Sequence, residues 1–408
     1  MNIVYIHQHF STVRGKTGTR SYDFARLLAE RGHRVTVVTG MYGPGDVRIE
    51  PGQGWVVRRE IDGFSVRVVT VRYDNTQAFW RRILSFLTFM VIATVEVLRI
   101  READVVFATS TPLTVGFPGL VARYLHRVPF VFEVRDIWPD TAVEIGALTN
   151  PFMIWMARIF ERACYYAASR VVTISERMAY HVRRRLSAGA AKVVVIPLGT
   201  DVGLFDRAEP ARAWQGAHGL EGKFVAVFAG AHGRLNALRW VLEAARRLKD
   251  EPSIRFVLIG EGALKPELRA QAQRDGLENV LFLDPITKVR LAGVLKVCGL
   301  GLMTLENLPV FDTACPNKFM DYLAAGLPVL VNFDGEAGWI AEREGCGVVV
   351  PPDDPAAMAE AIRELASDSE RCRAMGRRAC ALASRCYDRR RLIAELEAVF
   401  REAVALGL

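Results

Sequence analysis

Residues 313–332, TACPNKFMDYLAAGLPVLVN, bring together groups suited to holding an anion. Pro316 and Asn317 open a short helix with Lys318 in its first turn. Gly326 stops it, Pro328 follows, and the apolar run 329–331 reads as a buried strand. A helix start leaves backbone N–H groups free at the positive end of the helix dipole. Lys318 adds an ammonium at the same spot, so a phosphate could sit there. Asp321 lies one turn further on, placed to bind a sugar or ribose hydroxyl. Together these groups suit a nucleotide-sugar. They would equally make a capped helix with a solvated lysine, and taken alone they leave both readings open.

Other loops carry weaker signals of the same kind. Gly15-Lys16-Thr17-Gly18 follows the first strand and precedes a helix starting near Thr19. Neither GxGxxG nor GxxxxGK[ST] is present, so a dinucleotide cofactor is poorly supported. The loop could offer backbone donors and space for a sugar or acceptor, or be a plain strand–helix turn. Residues 133–140, EVRDIWPD, come directly after an apolar strand, where charged groups are seldom buried unpaired. Asp136 could accept a proton or hold a hydroxyl, Arg135 could pair an anion, and Trp138 could stack on a sugar. The alternative is an Arg–Asp structural pair with Trp138 in the core.

Residues 228–236, FAGAHGRLN, open a further strand–helix unit. Gly230 and Gly233 would let a diphosphate approach the backbone, with His232 and Arg234 as charge partners. Two more strand ends resemble each other: Gly260-Glu261-Gly262 followed by Lys265, and residues 283–287 with Asp284 and Ile286, which could present backbone to a base. Ser175 reads as a helix cap. No GxSxG, HExxH or clustered Cys and His occurs, which disfavours hydrolase triads and metalloenzymes.

The elements that position these loops alternate strictly. Strands are expected at 4–10, 34–39, 105–108, 130–134, 171–174 and 193–196, with a hairpin over 56–72 around Asp62-Gly63. Helices fall at 19–31, 80–100, 113–125 and 152–168. Residues 197–222 lose the apolar period and read as a linker. Alternation restarts at 224–229 and runs through 256–259, 280–283, 300–303, 329–331 and 348–350; from 355 the chain is helical. Near-continuous apolar strands between helices argue for an α/β protein with two doubly wound parallel sheets and a helical tail. Ligands in such sheets bind outside the carboxyl ends of the strands, here in an expected cleft between the domains.

Bulk composition agrees with that division. At 408 residues the chain is long for one core, so two domains of about 200 residues are the natural expectation. The balance of 53 Lys and Arg against 45 Asp and Glu gives +8, which favours anionic partners. Seven cysteines without a CxxC pair read as reduced thiols, and the N-terminus has no signal-peptide pattern, so a cytoplasmic location is expected. Between Arg82 and Glu96 lie 13 uncharged, mostly apolar residues, ILSFLTFMVIATV. A bilayer span needs about 20. With Phe79, Trp80 and flanking arginines, the 79–101 segment suits either a helix at a membrane surface or a buried helix covering a sheet.

With these residues in hand, the chain resembles the retaining glycosyltransferases of family 4, of GT-B fold. It is most similar to a bacterial surface-polysaccharide branch that includes O-antigen fucosamine transferases. The resemblance rests on the order and spacing of 18–40, RDIWPD (135–140), VVTISE (171–176), IPLGTD (196–201), GAHGRLNAL (230–238) and CPNKFMDYLAAGLPVL (315–330). It implies two Rossmann-like domains: 1–203 for the acceptor, with a helix over 388–408 packing back on it, and 204–387 for the nucleotide-sugar. It also implies retaining transfer of a hexosyl or N-acetylhexosaminyl group from a UDP-sugar or similar donor, without cofactor or metal. The acceptor would be a glycan or polyprenyl-diphosphate-linked oligosaccharide, nucleic acid would have no part, and the protein would be peripheral to the membrane.

On this reading Asp136, Arg135 and Lys318 are catalytic. The donor takes Gly230, His232, Gly233, Arg234, Asp284, Ile286, Pro316, Asn317, Lys318 and Asp321, and the acceptor takes Gly15, Lys16, Gly18, Thr19 and Trp138. The chain departs from the family pattern in two places. Two glutamates separated by seven residues are replaced by Thr313 and Asp321, and the usual Arg and Lys of the second domain's first loop fall on Ala231 and Ala237. A nucleotide-sugar epimerase of the same fold and a non-catalytic nucleotide-binding scaffold are the rival readings.

Overall fold

The computed structural model describes residues 1–407 apart from 16, 44, 48, 50, 51, 75 and 76. The chain divides into two compact units, Met1–Pro197 with Arg389–Leu408, and Leu198–Asp388.

The first unit is built on eight strands: β1 (Asn2–Ile6), β2 (Arg34–Tyr42), β3 (Val56–Ile61), β4 (Phe64–Tyr73), β5 (Val105–Thr109), β6 (Phe130–Val134), β7 (Arg170–Thr173) and β8 (Val193–Val195). Their order in the sheet is β3-β4-β2-β1-β5-β6-β7-β8. All recorded pairs are parallel except the β3–β4 hairpin, which turns at Asp62-Gly63 as its sequence requires. β1 stops at Ile6, so residues 7–10, expected as strand, leave the ladder at its carboxyl end. Their polar side chains thereby come free of the sheet. Ile3 and Tyr5 share one core with Phe24 and Leu28 of helix Arg20–Glu30 and Leu392, Leu396 and Phe400 of helix Arg389–Ala405. Burial of that apolar face is why the last helix belongs to the first unit.

The second unit has six parallel strands: β9 (Phe224–Ala229), β10 (Ile254–Ile259), β11 (Val280–Leu283), β12 (Leu300–Met303), β13 (Val329–Val331) and β14 (Gly347–Val349). Their order is β11-β10-β9-β12-β13-β14, with one core cluster on each face. Residues 197–222 are not a linker. They hold helices Val202–Arg207 and Arg212–Ala217, and Val202, Phe205 and Leu220 enter the second unit's core. Three apolar residues at irregular spacing suffice to anchor such short helices, which a search for a sustained period misses.

Both sheets are doubly wound, and the direction of winding reverses at one place in each. In the first unit it lies between β1 and β5, and in the second between β9 and β12. Strand ends at such a reversal leave an opening that helices do not cover. At the first reversal a buried pair fixes the frame. Arg20 Nη2 donates to Glu133 Oε1 at 2.7 Å and to Ile196 O at 3.1 Å, its Nη1 donates to Pro197 O, and both charged side chains are almost wholly inaccessible. Arg20→Ala strands the Glu133 carboxylate in an apolar interior. We expect about 3–5 kcal/mol of lost stability, read from the denaturant transition of the first unit. An unchanged midpoint would contradict the assignment of this pair as the anchor of β6.

Candidate functional site

The loops leaving β9, β10 and β11 hold one another by backbone hydrogen bonds. Gly230 N–H donates to Ile259 O at 2.9 Å, Gly260 N–H to Leu283 O at 3.1 Å, and His232 N–H to Glu261 O at 2.9 Å. Gly260 has φ +158°, and a Cβ there would stand 1.8 Å from Gly230 O, so no other residue fits. From β12 the Thr304 hydroxyl donates to Asn236 O at 2.7 Å, fixing the loop that carries Asn236. Helix Asn317–Ala324 is held to the same strand ends by the Tyr322 hydroxyl, which accepts from Ala229 N–H at 2.9 Å.

Three lysines converge on this rim, and their partners differ. Lys265 meets Glu261 at 3.0 Å and Asp284 at 2.7 Å; burial alone would lower its pKa, but the two carboxylates raise it above the ordinary lysine value. Lys288 is paired with Asp321. Lys318 has no carboxylate partner among the described residues. Its Nζ donates to Asn236 Oδ1 at 2.7 Å and lies 4.1 Å from the centre of the Phe228 ring. Although Lys318 is only half-buried by area, burial of its ammonium pushes the pKa down to about 7. Beside it the Asn317 side-chain carbonyl is buried without a hydrogen-bond partner. Pro316 caps the helix with no side-chain bond, and Phe319 N–H donates to Pro316 O at 3.0 Å, so the first-turn N–H groups that stay available are those of Asn317 and Lys318. A cation without a counter-ion, set at a helix start, is a receptor for an anion.

Several expected donor contacts have other roles. Asp321 is buried, and its Oδ1 accepts from Thr200 Oγ1 at 2.8 Å and from Lys288 Nζ. It is therefore held in an ion pair rather than open to a ribose. His232 is fully buried between Phe228 and Phe282; burial first, then Lys265, push its pKa down to about 4. A neutral imidazole with both nitrogens unpartnered cannot be the charge partner expected of it. Asp284 is exposed and bound to Lys265, and Ile286 is half-buried beside it. Gly230 and Gly233 lie half-buried on the rim, with Arg234 exposed and in no ion pair among the described residues. Thr313 ends a 3-10 turn, buried, its hydroxyl donating to Val310 O at 3.3 Å.

The opening of the first unit brings Arg135 and Asp136 to the end of β6. Arg135 N–H donates to Ser110 Oγ at 3.0 Å, and Asp136, exposed, accepts from the Thr111 hydroxyl. Arg135 Nη1 stands 3.3 Å from His7 Nε2, and His7 Nδ1 stands 2.6 Å from Ser21 Oγ. A guanidinium only donates, so Nε2 accepts and the proton of His7 is on Nδ1. Trp138 is half-buried, neither in the core nor free. Thr19, expected at the acceptor, is buried between Asp23 (2.7 Å) and Arg389 (2.8 Å). Gly15 is buried with its N–H on Thr12 O at 3.1 Å, Gly18 is half-buried, and Lys16 lies outside the described residues.

His7, Ser21, Thr111, Asn236 and Lys288 were not singled out from sequence. Only His7 left a sequence signal, a polar residue where the first apolar strand runs out; the rest are brought in by long-range packing. His9 stacks on Tyr42 at 4.8 Å and Tyr73 at 4.5 Å. Burial, then the charge of Arg135, lower the pKa of His7 well below the ordinary value and that of His9 to about 3. Unfolded, both would take up protons below about pH 6.5. The unfolded state then binds more protons, so stability falls as pH drops from 6.5 towards 3. We expect His9→Phe, which keeps the stack, to remove about one proton from that slope in denaturation curves. A slope equal to wild type would contradict the buried, neutral state.

Sequence and fold are similar to those of known proteins. Residues 17–199 match the glycosyl transferase 4-like domain, and residues 223–368 match glycosyl transferases group 1. The chain is 27% identical over 273 residues to WbjE of Pseudomonas aeruginosa, a protein named as a glycosyltransferase, covering 65% of this chain and 67% of that protein. It is 25% identical over 365 residues to WcaI of Escherichia coli K12, named for colanic acid biosynthesis, covering 85% and 88%. Among solved structures it superposes on Alr3699/HepE of Anabaena, crystallised with UDP-glucose, with a TM-score of 0.70 at 18% identity over 100% of both chains. The fold is GT-B, and the chain is a glycosyltransferase composed of a glycosyl transferase 4-like domain and a group 1 domain.

Proposed function

We propose that the chain transfers a hexosyl or N-acetylhexosaminyl group from a nucleoside diphosphate sugar to a glycan acceptor of surface-polysaccharide synthesis, with retention of anomeric configuration. The observation that carries this is Lys318, a cation with no carboxylate beside it at the start of helix Asn317–Ala324. Leaving-group charge grows on the diphosphate as the glycosidic bond breaks, and a pre-set ammonium with helix N–H groups stabilises that charge where it forms. Asn236 and Phe228 hold the ammonium in place, and the Asp321–Lys288 pair holds the helix. The UDP-glucose bound by HepE and the polysaccharide named for WcaI support a UDP-sugar donor and a cell-surface glycan product.

In the first unit Arg135 and Asp136 are proposed to receive the acceptor, a glycan carried on a polyprenyl diphosphate. Asp136 is exposed and oriented by Thr111, which suits a group that holds or deprotonates a hydroxyl. Arg135, positioned by His7, supplies a cation for the acceptor's phosphate or for the migrating charge.

The assay pairs a panel of nucleotide-sugars with and without lipid-linked acceptor. Free nucleoside diphosphate that appears only with acceptor, with the product's anomeric configuration unchanged by NMR, is the expected result. Turnover of donor alone would support an epimerase, and binding without turnover a scaffold. Lys318→Ala should weaken diphosphate binding and reduce turnover by about 2–3 kcal/mol, the range for a hydrogen bond to a charged group; unchanged kinetics would remove Lys318 from the site. Asp136→Asn should lower turnover while donor affinity holds, whereas equal losses in both would make Asp136 structural.

A further inference from the structure

Asn236 stands on the turn that leads from β9 into helix Leu238–Arg247, and three of its hydrogen-bonding groups are fixed. Its backbone N–H donates to Gly233 O at 3.1 Å, which closes the turn. Its backbone carbonyl accepts from the Thr304 hydroxyl at 2.7 Å, and its side-chain Oδ1 accepts from Lys318 Nζ at 2.7 Å. An ammonium only donates, so the oxygen of the carboxamide must be the atom that faces Lys318. The nitrogen, Nδ2, then takes the other branch. It has no hydrogen-bond partner among the described residues, although Asn236 is half-buried.

The backbone beside this free donor is left bare. Gly233 has ordinary extended angles, φ −102° and ψ 164°, and a Cβ there would meet nothing within 4 Å. Neither conformation nor packing within the chain therefore requires a glycine at 233. The missing side chain leaves room for a group that the chain does not supply. Gly230 is different, because a Cβ there would meet the Phe228 ring at 3.3 Å and Lys318 Cε at 3.5 Å.

The chemistry of the pair selects what that group is. Lys318 brings an ammonium and Asn236 an amide N–H2, both donors, and neither has a carboxylate partner among the described residues. A phosphate, with negative charge and several acceptor oxygens, can answer both at once. Neutrality at 236 matters as much as the donor. An aspartate of the same shape would claim Lys318 as its own ion pair, as Asp321 claims Lys288, and would repel an arriving anion.

We propose that Asn236 is a ligand-binding residue in its own right, its Oδ1 holding Lys318 and its Nδ2 donating to the same phosphate, which rests on Lys318 being the receptor for the diphosphate. UDP binding is measured by calorimetry for the wild-type chain, Asn236→Ala, Asn236→Asp, Lys318→Ala and the double variant Asn236→Ala with Lys318→Ala. Asn236→Ala should weaken UDP about tenfold, and Asn236→Asp about a hundredfold, because it loses the donor and adds a counter-ion. With Lys318 already replaced by alanine, Asn236→Ala should still cost about threefold or more, the mark of a contact of its own. In the free protein, NMR titration of labelled lysine should show the Lys318 pKa raised in Asn236→Asp.

No further loss in the double variant means that Asn236 acts only through Lys318, and overturns the proposal. A loss seen with UDP-glucose but not with UDP gives Nδ2 to the sugar and overturns the phosphate contact. An unmoved Lys318 titration in Asn236→Asp contradicts the hydrogen bond that orients the amide. Asn236 variants that bind UDP like wild type, while Lys318→Ala weakens it, overturn the proposal and leave Lys318 as the receptor. Lys318→Ala without effect removes the receptor itself. Should Asn236→Asp fail to fold, the comparison of Asn236→Ala with the double variant still decides.

Discussion

An ammonium held away from water without a carboxylate is the interaction on which the second unit's design turns. Left alone, such a charge opposes folding, and Lys318 answers by a lowered proton affinity. It could escape only if its helix moved or its side chain swung out. The Phe228 ring and Asn236 Oδ1 hold the ammonium, Tyr322 ties the helix to the end of β9, and the buried Asp321 ties it to Lys288 and Thr200. Asp321 thus acts on the site through helix position. The neighbouring lysines, each satisfied by carboxylates, show by contrast what a purely structural lysine looks like here.

The first unit solves a related problem in the opposite way. Its deepest charges are paired, Arg20 with Glu133 and Arg389 with Asp23, and these pairs set the ends of β6 and of helix Arg20–Glu30. What remains at the reversal of its sheet is a half-buried Arg135 steered by a neutral histidine and an exposed Asp136 steered by a threonine. One unit therefore presents a held lysine that takes its full charge on meeting an anion, and the other presents groups able to exchange protons or hold hydroxyls. That division of chemistry suits a transferase with separate donor and acceptor sites.

Much of this frame was legible from sequence because it is local. Apolar runs of strand length, the Pro316–Gly326 helix signals and the glycine loops after strands follow from neighbours in the chain, and every sheet strand fell close to an expected run. The failures are long-range. Thr19 and His232 stand in loops that read as open, yet one is enclosed by Arg389 and Asp23 and the other by Phe228 and Phe282. Asp321 has the spacing of a ligand-facing residue, but Lys288, 33 residues before it, claims its carboxylate. Whether a polar group is free depends on partners that periodicity does not reveal.

Proton linkage reaches the central claim most directly. A group of pKa about 7 in the free protein that becomes the partner of a diphosphate must be fully protonated in the complex. Calorimetry of UDP binding at about pH 8, in buffers of different ionisation enthalpy, should register uptake of about one proton per UDP bound. Lys318→Arg, charged throughout, should bind without that uptake. Binding of UDP to the wild-type chain with no proton uptake would contradict the account, because a neutral Lys318 would then not be what takes up its charge against the diphosphate.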